Sequence, residues 1–104
     1  MKNRATATFR IASGPLVTAK GREAQTIIAL VEAGTKGITS LETFKAGWAV
    51  RLGAYIFDLK AMGVPIRANR EPHDGGNHAR YFLDGQVELV EAFDPASSNF
   101  AVAA

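Results

Sequence analysis

Two histidines, an aspartate and a pair of glycines crowd into "REPHDGGNHARYFL", residues 70–83, beside arginines at 70 and 80. His73, Asp74 and His78 offer imidazole and carboxylate groups of the kind zinc takes. The segment supplies no fourth ligand and its glycines leave it loose, so no metal site is expected. A glycine loop ahead of a helix can cradle phosphate. Here "DGGN" runs into strand-like "ARYFL" and lacks the lysine of a phosphate loop. The serines and threonines form no pattern that sets one beside a histidine and an acid, and the carboxylates single out no acid–base pair. Neither catalysis nor a cofactor is expected. What remains is charge and hydrogen bonding. His73, Asn77, His78, Arg70 and Arg80 are groups able to hold phosphate around the tip of a β-hairpin.

The charge distribution points the same way. The net charge is +2, but residues 1–22 carry five Lys/Arg and no acid, and residues 44–83 carry six against three acids. Residues 84–104 carry four acids and no base. Such segregation suits a side that faces a polyanion and a tail kept away from it, although a solvated arm and tail would read the same. A chain of 104 residues has room for one core. It has no cysteine, which excludes disulfides and thiolate metal sites. Its longest apolar runs are too short to span a bilayer. The basic start lacks the apolar core of a secretory signal, so a cytoplasmic protein is expected.

The elements that position these groups follow from spacing. Residues 1–20 read as a basic arm or an edge strand, punctuated at Gly14–Pro15. In "GREAQTIIALVEAG", Ala24, Ile27, Ile28 and Val31 fall on one helical face, and Gly34 is the stop. Ile38 reads as a single extended residue. Thr39 and Glu42 then make a T-x-x-E capping box, with Leu41 and Phe44 as the apolar positions of a very short helix ended by Gly47. A third helix is expected from about Trp48 to Gly63, with Ala49, Leu52, Ile56 and Leu59 as its seam. Gly53 inside it suggests close packing against a neighbour. "VPIRANR" and "ARYFL" alternate as two strands around the loop "EPHDGGNH", with Tyr81 and Leu83 inward and Arg80 exposed. Residues 85–104 read as an acidic, partly disordered extension containing one amphipathic stretch at 87–93.

The order helix, short helix, helix, hairpin, with "GWAVRLGAYIFDLKAMGVPI" followed by "GGNHARYFL", resembles the small winged helix-turn-helix domains of bacterial and phage proteins. The resemblance spans about residues 21–83, and residues 21–84 are taken as the domain. It implies an α+β fold, a three-helix core with a C-terminal β-hairpin wing. It also implies a double-stranded DNA partner, with the third helix in the major groove and the wing on the backbone. This chain carries Tyr55 and Lys60 where similar domains often have arginine late in the third helix.

On that template Arg51 projects outward from the first turns of helix three as the base-edge contact, or pairs with Glu42 or Asp58. Lys45 ends helix two within reach of phosphate. Trp48 either covers the turn between helices two and three or stacks on the DNA backbone. Tyr55 either flanks the core or presents its hydroxyl to DNA. Arg67 and Arg70 lie three apart, on opposite sides of a strand, and Arg70, nearer the tip, is the expected contact. A transcriptional regulator or phage-type accessory factor is the expected role. A protein partner in place of DNA stays open, as does a homodimer paired through residues 87–93.

Overall fold

The computed structural model describes residues 5–45, 47, 51–73 and 76–94, with the side chains of residues 73 and 76–78 outside that description. Along them run β1 (Thr6–Ile11), β2 (Leu16–Lys20), α1 (Gly21–Ala33), one 3-10 turn (Gly34–Lys36), β3 (Ile38–Thr39) and α2 (Ser40–Lys45). Next come α3 (Leu52–Ala61), β4 (Ile66–His73), β5 (Gly76–Leu83) and β6 (Val87–Phe93). The strands form two antiparallel sheets, ordered β2-β1-β6 and β3-β5-β4.

Ala24, Ile27 and Ile28 are buried on α1, as their spacing predicts, while Val31 of the same face is half-buried. Leu30, Gln25 and Thr26 are buried too, because α1 packs against both sheets and α3 rather than along one stripe. The buried polar side chains of α1 are satisfied. Thr26 Oγ1 donates to the Arg22 carbonyl at 2.7 Å, the back-bond that lets threonine sit inside a helix. Arg22 donates to Gln25 Oε1 at 2.6 Å, and Gln25 Nε2 donates to Asp94 Oδ1 at 3.0 Å. A buried amide on α1 thereby holds the residue that follows β6.

The ends of the chain differ from their sequence reading. Residues 6–20 form a hairpin, and β1 lies in the middle of its sheet rather than at an edge. Ala7 and Phe9 of β1 and Ala19 of β2 are buried on its inner side. The stretch 87–93 does not pair across a dimer axis through its β1-facing edge, which is already bonded within the chain. The core is not a three-helix core. It is built from α1, α3 and the inner faces of both sheets, while α2 buries only Thr43. Nor is the β4–β5 hairpin the last element, since β6 follows it.

One contact between helices works against stability at neutral pH. The Glu23 carboxyl on α1 is pushed above the usual glutamate range, first by burial and then by its hydrogen bond to Asp58 of α3, whose charge adds to the shift. A raised carboxyl stabilises the fold fully below the ordinary glutamate range, and that contribution is lost as pH rises through the raised value. Glu23→Gln is therefore expected to raise stability at neutral pH by roughly 0.2–0.5 kcal/mol, a like-charge penalty at a partly exposed pair. The gain should vanish at about pH 4. Urea midpoints at the two pH values check it; an equal shift at both would refute the carboxylate origin.

Candidate nucleic-acid interface

The capping box forms as its spacing requires. Glu42 Oε1 accepts from Thr39 N–H at 3.1 Å, and Thr39 Oγ1 accepts from Glu42 N–H at 3.1 Å. Thr39 is buried in β3, and Thr43, four residues on, continues the inward side. That rotation turns Leu41 and Phe44 outward, so both are exposed rather than apolar anchors. Lys45 ends α2, exposed.

On α3 the seam Leu52, Ile56, Leu59 is buried. The described helix starts later than its pattern suggests, at Leu52, and Trp48 and Ala49 lie outside the described residues. Arg51 is consequently the N-cap residue, with φ −116° and ψ 48°, and not a residue of the first turns. Its carbonyl accepts from Ala54 N–H at 3.0 Å, and its side chain is exposed. It forms no ion pair with Glu42 or Asp58. Tyr55 is half-buried. Gly53 is not tightly packed: a Cβ there would lie 3.7 Å from Tyr81 Oη, an ordinary contact. Phe57, which spacing left unremarked, is 72% exposed on α3. Lys60 is exposed three residues on.

The β4–β5 hairpin is longer than expected. Its register runs from Ile66↔Leu83 to His73↔Gly76, so most of "EPHDGGNH" is strand. His73, Asn77 and His78 fall on this hairpin, but their side chains, like Asp74, lie outside the described residues. Tyr81 and Leu83 pack against the core. Arg67 lies 5.1 Å over the Phe82 ring, a cation–π contact. Arg70 is exposed on the other side of β4.

Arg80 is the main correction. Its side chain is only 19% exposed, and its donors are largely committed. Nε donates to Glu71 Oε2 at 2.6 Å, Nη2 to Glu42 Oε2 at 3.2 Å, and Nη1 to Glu42 Oε1 at 3.3 Å and the Lys36 carbonyl at 3.2 Å. The cause is register. Thr39 of β3 pairs with Arg80 of β5, so the capping partner of Thr39 is delivered to the guanidinium. Glu71 and then Glu42 hold that guanidinium above its usual range. Arg80 ties the hairpin to α2 and is half-buried rather than exposed. Arg80→Met should cost about 1–3 kcal/mol by taking the guanidinium from two carboxylates, nearer the lower figure because Glu42 and Glu71 are partly exposed. Glu71→Gln in the same chain should recover part of it. Urea unfolding of the two single variants and the double variant measures this, and strict additivity would disprove the coupling.

Arg51, Lys45, Lys60, Arg67 and Arg70 are exposed at the start of α3, on α2 and α3, and on the hairpin. No group of three or more metal-ligating side chains occurs among the described residues. A family model described as a winged helix domain matches residues 16–92, from the first residue of β2 almost to the end of β6. No curated protein and no solved structure matches the chain.

Proposed function

The chain belongs to the winged helix domain family, and from that premise we propose that it binds double-stranded DNA as a cytoplasmic regulator or phage-type accessory factor, without enzymatic activity. The observation that carries the reading is Arg51, exposed at the N-terminus of α3 with no carboxylate paired to it among the described residues. In this reading α3 enters the major groove and Arg51 meets a base edge. Lys45 and Lys60, with Arg70 on the wing, neutralise phosphate. In the same reading Tyr55, Trp48, His73, Asn77 and His78 add further DNA contacts. Arg80 acts there by holding the wing to α2.

Titration into fluorescent random-sequence duplex DNA at about 50 and about 200 mM salt tests this, with affinity expected to fall steeply as salt rises. Arg70→Ala should reduce the salt slope by about one, and Arg51→Ala should cost about 1–3 kcal/mol of affinity for a selected site. Binding indifferent to both substitutions would sink the reading. One observation favours a protein partner instead: α3 exposes the large apolar side chain of Phe57, beside Asp58. A groove reader would present hydrogen-bond donors there. No DNA binding at the lower salt, together with capture of a stoichiometric protein partner, would establish that alternative.

A further inference from the structure

The sheet β2-β1-β6 has a second face, and its composition is legible residue by residue from the registers. The inner face carries Ala7, Phe9, Ile11, Val17, Ala19, Val87, Leu89 and Ala92, all packed on the core. On the outer face three rows cross the sheet. The first is Leu16, Arg10, Glu88; the second is Thr18, Thr8, Glu91; the third is Lys20, Thr6, Phe93. The register shift beside Thr8 adds Val90 to the second row. Leu16, Val90 and Phe93 are each about half exposed. Three threonines, one hydroxyl pair of which lies 3.1 Å apart, fill the middle. The Arg10 Nε is buried with no hydrogen-bond partner among the described residues.

The four corners of this face are Leu16, Glu88, Phe93 and Lys20, so the apolar pair lies on one diagonal and the opposite charges lie on the other. The geometry points to a second copy of this chain as the occupant, packed face to face about a two-fold axis along the Leu16–Phe93 diagonal. That operation sets Leu16 on the partner's Leu16 and Phe93 on the partner's Phe93. It brings Lys20 over the partner's Glu88, twice, and places Arg10 against the partner's Thr18. Charge decides against the other in-plane axes. An axis along the strands puts Arg10 on itself, one across them puts Glu91 on itself, and the second diagonal puts Lys20 on itself and Glu88 on itself. The diagonal axis makes the strands of the two copies cross at roughly 70°, nearer the orthogonal than the aligned sheet packing, and it closes as a dimer with no open end. Neither α2, α3 nor the β4–β5 hairpin takes part, so the inference stands independently of the DNA reading.

A face of three short strands is at the small end for a specific interface, so a dissociation constant on the order of 10 μM is expected. Sedimentation equilibrium of the full chain from about 1 μM to about 1 mM brackets that value. Wild type should pass from monomer to dimer, more weakly at high salt. Lys20→Glu and Glu88→Lys each make both cross-axis pairs repulsive and should each stay monomeric. An equimolar mixture of the two restores both pairs and should give a heterodimer. Phe93→Ser should also lose the dimer. All three positions are exposed, and unchanged thermal melts at low concentration confirm folding. A wild type that stays monomeric throughout overturns the proposal. So does a dimer untouched by these substitutions, or a mixture that associates no better than its components.

Discussion

Phe9→Ala is expected to remove about 3–5 kcal/mol of stability, the cost of an emptied aromatic site in a packed core. Phe9 is fully buried and sits on the central strand of its sheet, with Val17 on one side and Leu89 on the other. Its ring is the largest side chain that the sheet places in the core. A domain of this size has only about 5–15 kcal/mol in total. The loss is therefore a large share, and at 37 °C much of the variant should be unfolded. Urea unfolding at 25 °C followed by circular dichroism measures it. A cost below about 1 kcal/mol would show instead that the N-terminal hairpin is an accessory flap.

Gly37→Ala should cost about 2–4 kcal/mol, from two separate sources. Gly37 has φ 70° and ψ −177°, a region essentially reserved for glycine. A Cβ there would also come within 2.6 Å of the Tyr81 carbonyl oxygen and 2.7 Å of Phe82 Cδ2. The first of these is backbone and cannot swing away, so β5 must move and the Thr39–Arg80 pairing with it. Gly34 is the internal control. It too has positive φ, 56°, but nothing lies within 4 Å of its missing Cβ. Gly34→Ala should show only the conformational part, about 1–3 kcal/mol. If the two variants unfold at the same urea concentration, the close approach at Gly37 has no energetic weight.

Where the sequence spoke clearly, one local rule sufficed. The seam Leu52, Ile56, Leu59 is buried, and the Thr39–Glu42 box closes, because each depends on neighbours within a turn. Strand β1 was hard to see because its inward positions are Ala7, Phe9 and Ile11, so only one large side chain is fully buried. In β6 the extra residue at Val90 breaks the period of two. The role of Arg80 was hidden for a different reason. Its partner Glu42 is 38 residues away, and only the pairing of the two-residue strand β3 brings them together. Leu41 and Phe44 looked like core because helical spacing gives a face but not its direction, which here follows from Thr39 being buried. In the candidate interface, sequence placed Arg51 near α3 but left Phe57 unremarked, since a single aromatic off the seam carries no periodic signal.

The pairing of Thr6 with Phe93 also has a consequence for biogenesis. During synthesis the middle strand of this sheet emerges with its β2 partner soon behind, but β6 follows only about 80 residues later, roughly 4–16 s at ordinary elongation rates. Through that interval the β1–β2 ribbon has one row of backbone amides and carbonyls unpaired, and α1 has nothing to cover the flank that Val87 and Leu89 later close. A nascent chain of this protein is therefore open to chaperone capture or strand exchange until β6 has left the ribosome, and the sheet closes only then.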